Sequence, residues 1–185
     1  MIRAGKRYPR FPSANLLAIS SASPEVVRIY QDVPVRIFLD FSVPHIHTPY
    51  VWQHSINGEG VRVAVVDTGI DQTHPDFQGR ILNTYDVTGE TVQDGCGHGT
   101  HCASIVLGSG AASKGKYRGV APGASLLVAK VLRNDGSGMM SDVMDGVEWA
   151  VDQGAQVISL SLGEAGSSDG HDPLSELCEA AIKRG

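Results

Sequence analysis

An apolar run from residue 61 to 66, broken only by Arg62, ends on the carboxylate of Asp67. Such a run is typical of a strand that is buried on both faces of a parallel sheet, which requires helices to cover both faces. Open α/β sheets place functional groups at the carboxyl ends of their strands. This stretch therefore predicts an α/β fold that presents Asp67 at a functional edge of the sheet.

Strand-like and helix-like patterns alternate along the rest of the chain. Further strands are predicted at residues 81–87, 125–131 and 157–162, where apolar side chains cluster over short lengths. Helices are predicted at residues 98–107, 141–153 and 173–185; Ser141 or Asp142 would cap the second, and Asp172 would cap the third. This alternation implies a parallel sheet with both faces covered.

Residues 1–57 have a different character. Residues 1–15 are rich in Arg, Pro and Ser and are predicted to be disordered. Alternating apolar residues at 27–30 and 35–39 predict two strands within segment 16–45, which is short for an independent domain. Residues 46–57, which contain Pro49, are predicted to be a linker.

Charge, hydropathy and cysteine content exclude several classes of function. The 185 residues carry a net charge of −5, and four basic residues among the first ten leave an acidic body, so we expect no nucleic-acid partner. No apolar run approaches the roughly 20 residues of a membrane span, and the first residues lack the apolar core of a signal peptide. The three cysteines are spaced irregularly and do not form the pattern of a disulfide framework.

A histidine between two glycines is the second candidate functional residue. His98 lies at the predicted start of a helix, and Gly97 and Gly99 would allow other groups to approach it closely. A carboxylate such as Asp67 can orient an imidazole and stabilise it after it accepts a proton. The pair indicates general-base chemistry, and a buried, hydrogen-bonded structural histidine is the alternative.

A zinc site is also open on the residues alone. Cys96, His98, His101 and Cys102 are close in sequence, and all are residue types that bind zinc. The cluster lacks the separately spaced second ligand pair that is typical of structural zinc sites.

An aspartic protease is a further alternative. Asp67-Thr68-Gly69 matches the catalytic tripeptide of that class, in which the aspartate pairs with a second one. This chain has one such tripeptide and an α/β pattern. Ser137, Ser159 and Ser161 lie outside any Gly-x-Ser-x-Gly motif, so no nucleophile is assigned among them.

Three blocks of sequence resemble the subtilisin-like serine proteases, the subtilases, over about residues 50–185. Residues 63–71, followed by His74-Pro75-Asp76-Phe77, are similar to the block that contains the catalytic aspartate. Residues 97–103 are similar to the block of the catalytic histidine. The substrate-groove segments of the family are matched at residues 119–124, 130–132, 136–138, 148–150 and 159–163.

The resemblance implies a fold and a set of roles. The fold would be three-layered and subtilisin-like with a parallel central sheet, and residues 58–185 would form the N-terminal half of the catalytic domain. Asp67 would orient the imidazole of His98, which would act as general base and then as general acid. The residues implied to bind an extended protein or peptide substrate are Gly136, Ser137 and Gly138 on one wall, Ser161, Leu162 and Gly163 on the other, and Met140 at an apolar subsite.

The resemblance also assigns the N-terminal segments. Residues 16–45 are similar to part of a propeptide, which in this family folds against the protease, so the chain's own propeptide is an expected partner. Maturation would fall between Asp40 and Trp52, a range that overlaps the linker and maturation region 46–57. Export is usual in the family, although these first residues do not form a signal peptide.

Two expected elements of a complete subtilase are not matched. The oxyanion-hole asparagine and the nucleophilic serine of the family would follow residue 185, so we expect a serine endopeptidase fragment that is inactive alone. A non-catalytic module that binds extended peptides is the alternative. No cofactor is required by this chemistry, and Asp76 is a candidate calcium ligand because it matches such a carboxylate in relatives.

Overall fold

The computed structural model describes residues 39–163 and 170–184. The strands in this part of the chain are β1 (Arg62–Asp67), β2 (Ile81–Asp86), β3 (Ser125–Lys130) and β4 (Val157–Leu160). The helices are α1 (Leu39–His45), α2 (Thr48–Gln53), α3 (His98–Leu107), α4 (Met140–Asp152) and α5 (Pro173–Lys183). The segment 1–15 and the predicted strand at 27–30 lie outside the described residues, as does the predicted strand at 35–39 except for Leu39, which begins α1.

The four strands form one parallel sheet in the order β2–β3–β1–β4. In β1 the five residues after Arg62 are all buried, and in β3 the five residues after Ser125 are all buried. Burial at successive positions means that both faces of the sheet are covered. Asp67 and Lys130 lie opposite each other at the carboxyl ends of β1 and β3.

Helices cover the two faces separately. On one face, α3 contributes Ala103 and Leu107 to an apolar cluster that contains Val63, Val65 and Val128. On the other face, α4 packs Val143 and Ala150 against residues of β1 and β3, namely Val66, Ala129, Ala64 and Leu127. The prediction of an α/β fold with a parallel central sheet between helical layers is confirmed.

The predicted strands and helices of residues 58–185 lie where the sequence analysis placed them, and their ends differ from the prediction by two residues at most. Helix α4 begins one residue early, with Met139 in the N-cap position and without a side-chain cap, so the prediction of Ser141 or Asp142 as cap is wrong. Asp142 lies instead in the first turn, where its negative charge interacts favourably with the positive end of the helix dipole. Strand β4 ends at Leu160, not at residue 162, because its ladder with β1 ends where Val66 pairs with Leu160.

The cap predicted for α5 is confirmed. The Asp172 carboxylate accepts a hydrogen bond from Ser175 N at 3.0 Å, and Pro173 occupies the first turn. Proline suits this position because the first-turn N–H it lacks has no partner within a helix.

Segment 46–57, predicted to be a linker, contains α2 and is tied to the body of the domain. The indole of Trp52 donates its Nε1–H to Val120 O at 3.0 Å, and the Arg118 guanidinium lies 4.5 Å from the ring centroid. Proline is favourable in the first turn of a helix, so Pro49, the second residue of α2, does not break it.

The longest helix in the described ranges, α4, has 13 residues. No helix within those ranges has the length and apolar character needed to cross a membrane.

Candidate functional site

The end of β1 and the start of α3 bring Asp67 and His98 into direct contact. Nδ1 of His98 lies 2.7 Å from Oδ1 of Asp67. The carboxylate is fully buried, whereas 45% of the imidazole side chain is exposed. One side of the ring is therefore held by a buried charge and the other is open to a reactant.

Backbone groups fix the orientation of Asp67. Oδ1 also accepts a hydrogen bond from Thr68 N at 2.7 Å, and the main-chain carbonyl of Asp67 accepts from Val131 N at 2.9 Å and Leu132 N at 3.2 Å. The other oxygen, Oδ2, is buried and has no hydrogen-bond partner among the described residues. Asp67 is paired with an imidazole, whereas the dyad of an aspartic protease pairs two carboxyl groups.

Thr68 connects the strand of Asp67 to the helix of His98. Its hydroxyl accepts a hydrogen bond from Gly99 N at 2.9 Å and donates one to Asp94 Oδ1 at 2.8 Å. A buried threonine thus satisfies an N–H in the first turn of α3 that has no partner within the helix.

Asp94 completes the support of this helix start, and the sequence analysis did not identify it. Its Oδ1 accepts from Gly97 N at 2.7 Å and Cys96 N at 3.1 Å, and its Oδ2 accepts from the N–H and the hydroxyl of Thr100 at 2.8 and 2.6 Å. Burial raises the pKa of Asp94, but the hydrogen bonds from Thr100, Gly97 and Thr68 outweigh it and leave the pKa below its ordinary value. Asp94 is therefore held as an anion.

Replacing Asp94 by asparagine is expected to destabilise the chain by about 2 kcal/mol at pH 7, because an amide NH2 would face donors that now bind a carboxylate oxygen. The pKa of Asp94 is lower in the folded chain than in the unfolded chain, where it is about 3.9. Its charge therefore stabilises the fold fully above the unfolded-state pKa, and this stabilisation is lost as the pH falls through the folded-state pKa. The difference between wild type and Asp94→Asn should therefore shrink on acidification. Urea unfolding at pH 7 and at about pH 3 measures this difference.

Asp135 provides a control for this prediction. Its carboxylate also accepts from a following residue, Ser137, but it is exposed and supports only a surface turn. Hydrogen bonds from Ser137 also lower the pKa of Asp135, but at an exposed site, so Asp135→Asn should shift the unfolding midpoint much less than Asp94→Asn. A penalty for Asp94→Asn that is the same at both pH values would contradict the proposed charge effect.

Cys102 is the third polar group beside the pair. Its sulfur lies 3.8 Å from Nε2 and 3.9 Å from Nδ1 of His98. Burial raises the pKa of this thiol above its ordinary value, against the lowering effect of a hydrogen bond with Ser161, and the charge of Asp67 raises it further. Cys102 is therefore a neutral thiol.

The zinc cluster suggested by the sequence does not assemble in the described ranges. Three potential ligand atoms, from Asp67, His98 and Cys102, lie within 4.8 Å of one another. Cys96 and His101, which the sequence analysis included, do not belong to this group. Asp67 and His98 are already bonded to each other.

The predicted groove residues gather around one open cavity of about 710 Å³ beside His98. All seven of them line it: Gly136, Ser137, Gly138, Met140, Ser161, Leu162 and Gly163. Leu132, from the matched segment 130–132, also lines the cavity. Sequence analysis did not assign Met139 and Val143 to the groove, although both line it and 68% of Met139 is exposed. Apolar residues just before and within a helix are usually core positions, so no sequence signal distinguished these two groove residues from the core.

Asp76, the candidate calcium ligand, is buried in the turn after β1. Its Oδ1 accepts a hydrogen bond from Ala112 N at 2.8 Å, in the loop that follows α3. The carboxylate therefore joins two loops through a backbone contact, and calcium binding there stays a prediction.

Comparisons with known proteins agree with this geometry. A family model described as "Subtilase family" matches residues 58–185. The chain is 39% identical to "Serine protease AprX" of Bacillus subtilis over 94% of its own length and 42% of that protein. It is 45% identical to "Thermitase" of Thermoactinomyces vulgaris over 64% of its own length and 42% of that protein. The chain thus spans less than half the length of these curated relatives.

Proposed function

Because the chain belongs to the subtilase family, we propose that it supplies the acid–base pair and part of the substrate groove of a serine endopeptidase. The 2.7 Å contact between the buried Asp67 and the half-exposed His98 carries this proposal. The name of the relative Serine protease AprX supports the same chemistry.

In the proposed reaction, Nε2 of His98 removes the proton from a serine hydroxyl as the oxygen attacks a peptide carbonyl carbon. Asp67 accepts the Nδ1–H hydrogen bond, holds the ring in this tautomer and stabilises the imidazolium. His98 then gives the proton to the departing amine. A later attack by water, with His98 again as base, releases the acyl group.

The cavity beside His98 would hold an extended protein or peptide substrate. We propose that the segments 136–138 and 161–163 form its two walls and pair their backbone with the substrate, as in strand addition. Met139, Met140 and Leu132 would contact an apolar side chain of the substrate. We propose that the segment 16–45 acts as a propeptide that blocks this groove. No cofactor takes part in the proposed steps.

The chain alone is proposed to lack a competent nucleophile. Ser137, a serine of the groove, donates its hydroxyl to Asp135 at 2.6 Å. We expect a fluorophosphonate probe to leave the purified 185-residue chain unlabelled, as judged by intact mass. Labelling of a serine that requires His98 would contradict this expectation.

A chimeric protease tests the endopeptidase proposal directly. Residues 58–185 would replace the matching part of Serine protease AprX, which supplies the remainder of a catalytic domain. Hydrolysis of a chromogenic peptide by the chimera is expected. A folded chimera that binds an extended peptide inhibitor but does not hydrolyse the chromogenic peptide would favour the alternative, a module that only binds peptides.

A further inference from the structure

A fully buried lysine lies opposite Asp67 on the neighbouring strand and has no role in the proposed reaction. Lys130 ends β3, and its side chain is 0% exposed. Its ammonium donates to Thr68 O at 2.6 Å and to Asn134 Oδ1 at 3.0 Å, and it lies 3.9 Å from Glu90 Oε2. A buried charge is costly unless it is paired and hydrogen-bonded, so the two hydrogen bonds and the nearby Glu90 carboxylate together hold the ammonium in one place.

The first acceptor is the carbonyl of Thr68, the residue whose N–H binds the Asp67 carboxylate. Thr68 N donates to the Asp67 carboxylate and Thr68 O accepts from Lys130, so the two ends of one residue connect the ammonium to the acid. The Thr68 hydroxyl also binds the start of α3 through Gly99 N. A shift of Thr68 O would therefore move groups that set the position of both Asp67 and His98.

The second acceptor reaches the loop that precedes His98. Asn134 Oδ1 accepts from Gly95 N at 3.0 Å as well as from Lys130, and Asn134 N donates to Glu90 Oε2 at 2.8 Å. Asn134 also begins the turn that leads to the groove wall at residues 136–138. One ammonium thus contacts the strand of the acid, the loop before the base and the origin of a groove wall.

We propose that Lys130 is a positioning residue that sets the distance between Asp67 and His98 through Thr68 and Asn134. This inference rests on the proposed function of the pair. The simpler alternative is that Lys130 only stabilises the fold.

Proton NMR of the 185-residue chain separates these two roles without any need for hydrolysis. The proton between His98 Nδ1 and Asp67 is expected to give a low-field resonance at a pH where the imidazole is charged, assigned by its loss in His98→Ala. In Lys130→Met this proton should exchange with water about tenfold faster, the effect of losing one charge-assisted hydrogen bond. Val63→Ala, a buried change at the opposite end of β1, controls for general destabilisation and should leave the exchange rate unchanged.

Asn134 provides a second pair of variants for the case in which Lys130→Met does not fold. Asn134 is exposed, so Asn134→Ala should fold and should also accelerate the exchange. Asn134→Asp keeps an oxygen acceptor for Lys130 and Gly95 N, and it should retain the wild-type rate. An exchange rate in Lys130→Met, or in Asn134→Ala, that equals the wild-type rate would overturn this inference alone. Absence of the resonance from the wild type would overturn the proposed pairing of His98 with Asp67 itself.

Discussion

Replacing His98 by alanine in the chimeric protease is expected to lower kcat by about 10⁶-fold, the effect seen when a subtilase loses its imidazole base. In the proposed mechanism no other group can take its place, because the neighbouring thiol of Cys102 is neutral and has its pKa raised by burial. Asp67→Ala should cost about 10⁴-fold, since a base remains but is no longer oriented. Initial rates of peptide hydrolysis measure both losses.

His101 offers a matched control for this prediction. It is an exposed histidine three residues further along the same helix, and it lies outside the group formed by Asp67, His98 and Cys102. His101→Ala should keep kcat and KM within about twofold of the parent chimera, as expected for a surface position. Equal losses in the His98 and His101 variants would mean that the helix, and not the imidazole of His98, is what the reaction requires.

Much of this site could be predicted because its parts follow local patterns. Asp67 ends an apolar run and His98 lies between glycines, and both features are visible in the sequence. The parallel sheet follows from the alternation of strand-like and helix-like patterns along the chain. A parallel sheet in turn places the carboxyl ends of its strands at one edge. The groove residues could be named only by resemblance, because glycine and serine in loops have no pattern of their own.

The residues that support the site were missed for a physical reason. Asp94 and Thr68 act through hydrogen bonds to main-chain groups brought close by folding, and such contacts leave no periodic signal. Lys130 ends an apolar strand, where a lysine usually reaches solvent. Only the fold shows that it is buried, with two hydrogen-bond acceptors and the Glu90 carboxylate around its ammonium. Residues 46–57 were predicted to be a linker, yet they contain α2, and Pro49 is favourable in its first turn.

Replacing Gly99 by alanine is expected to destabilise the chain by about 3 kcal/mol, which corresponds to a fall in Tm of roughly 10 °C. An added Cβ would overlap Gly69 O and would lie 3.1 Å from Gly69 N and 3.3 Å from Asp67 Cβ. Two of these three neighbours are backbone atoms of the turn that follows β1, and they cannot rotate away. Relief requires α3 to move from the sheet.

That movement would also separate Asp67 from His98. His98 begins α3 and Asp67 ends β1, so the two side chains cannot stay 2.7 Å apart if the helix start shifts. A misplacement of about 1 Å costs roughly 100-fold in rate in a positioned site. Gly99→Ala in the chimeric protease should therefore lose activity even at temperatures where circular dichroism shows that it remains folded.

Gly97 separates this steric effect from ordinary backbone strain. It precedes His98 with a φ of +90°, and an added Cβ would meet nothing within 4 Å. Gly97→Ala should cost only the about 1–2 kcal/mol of a left-handed conformation and should leave α3 in place. Thermal melts compare the two variants. If Gly99→Ala is no less stable than Gly97→Ala, then α3 has room for a side chain at residue 99. In that case the close contact between α3 and Gly69 does not fix the distance between Asp67 and His98.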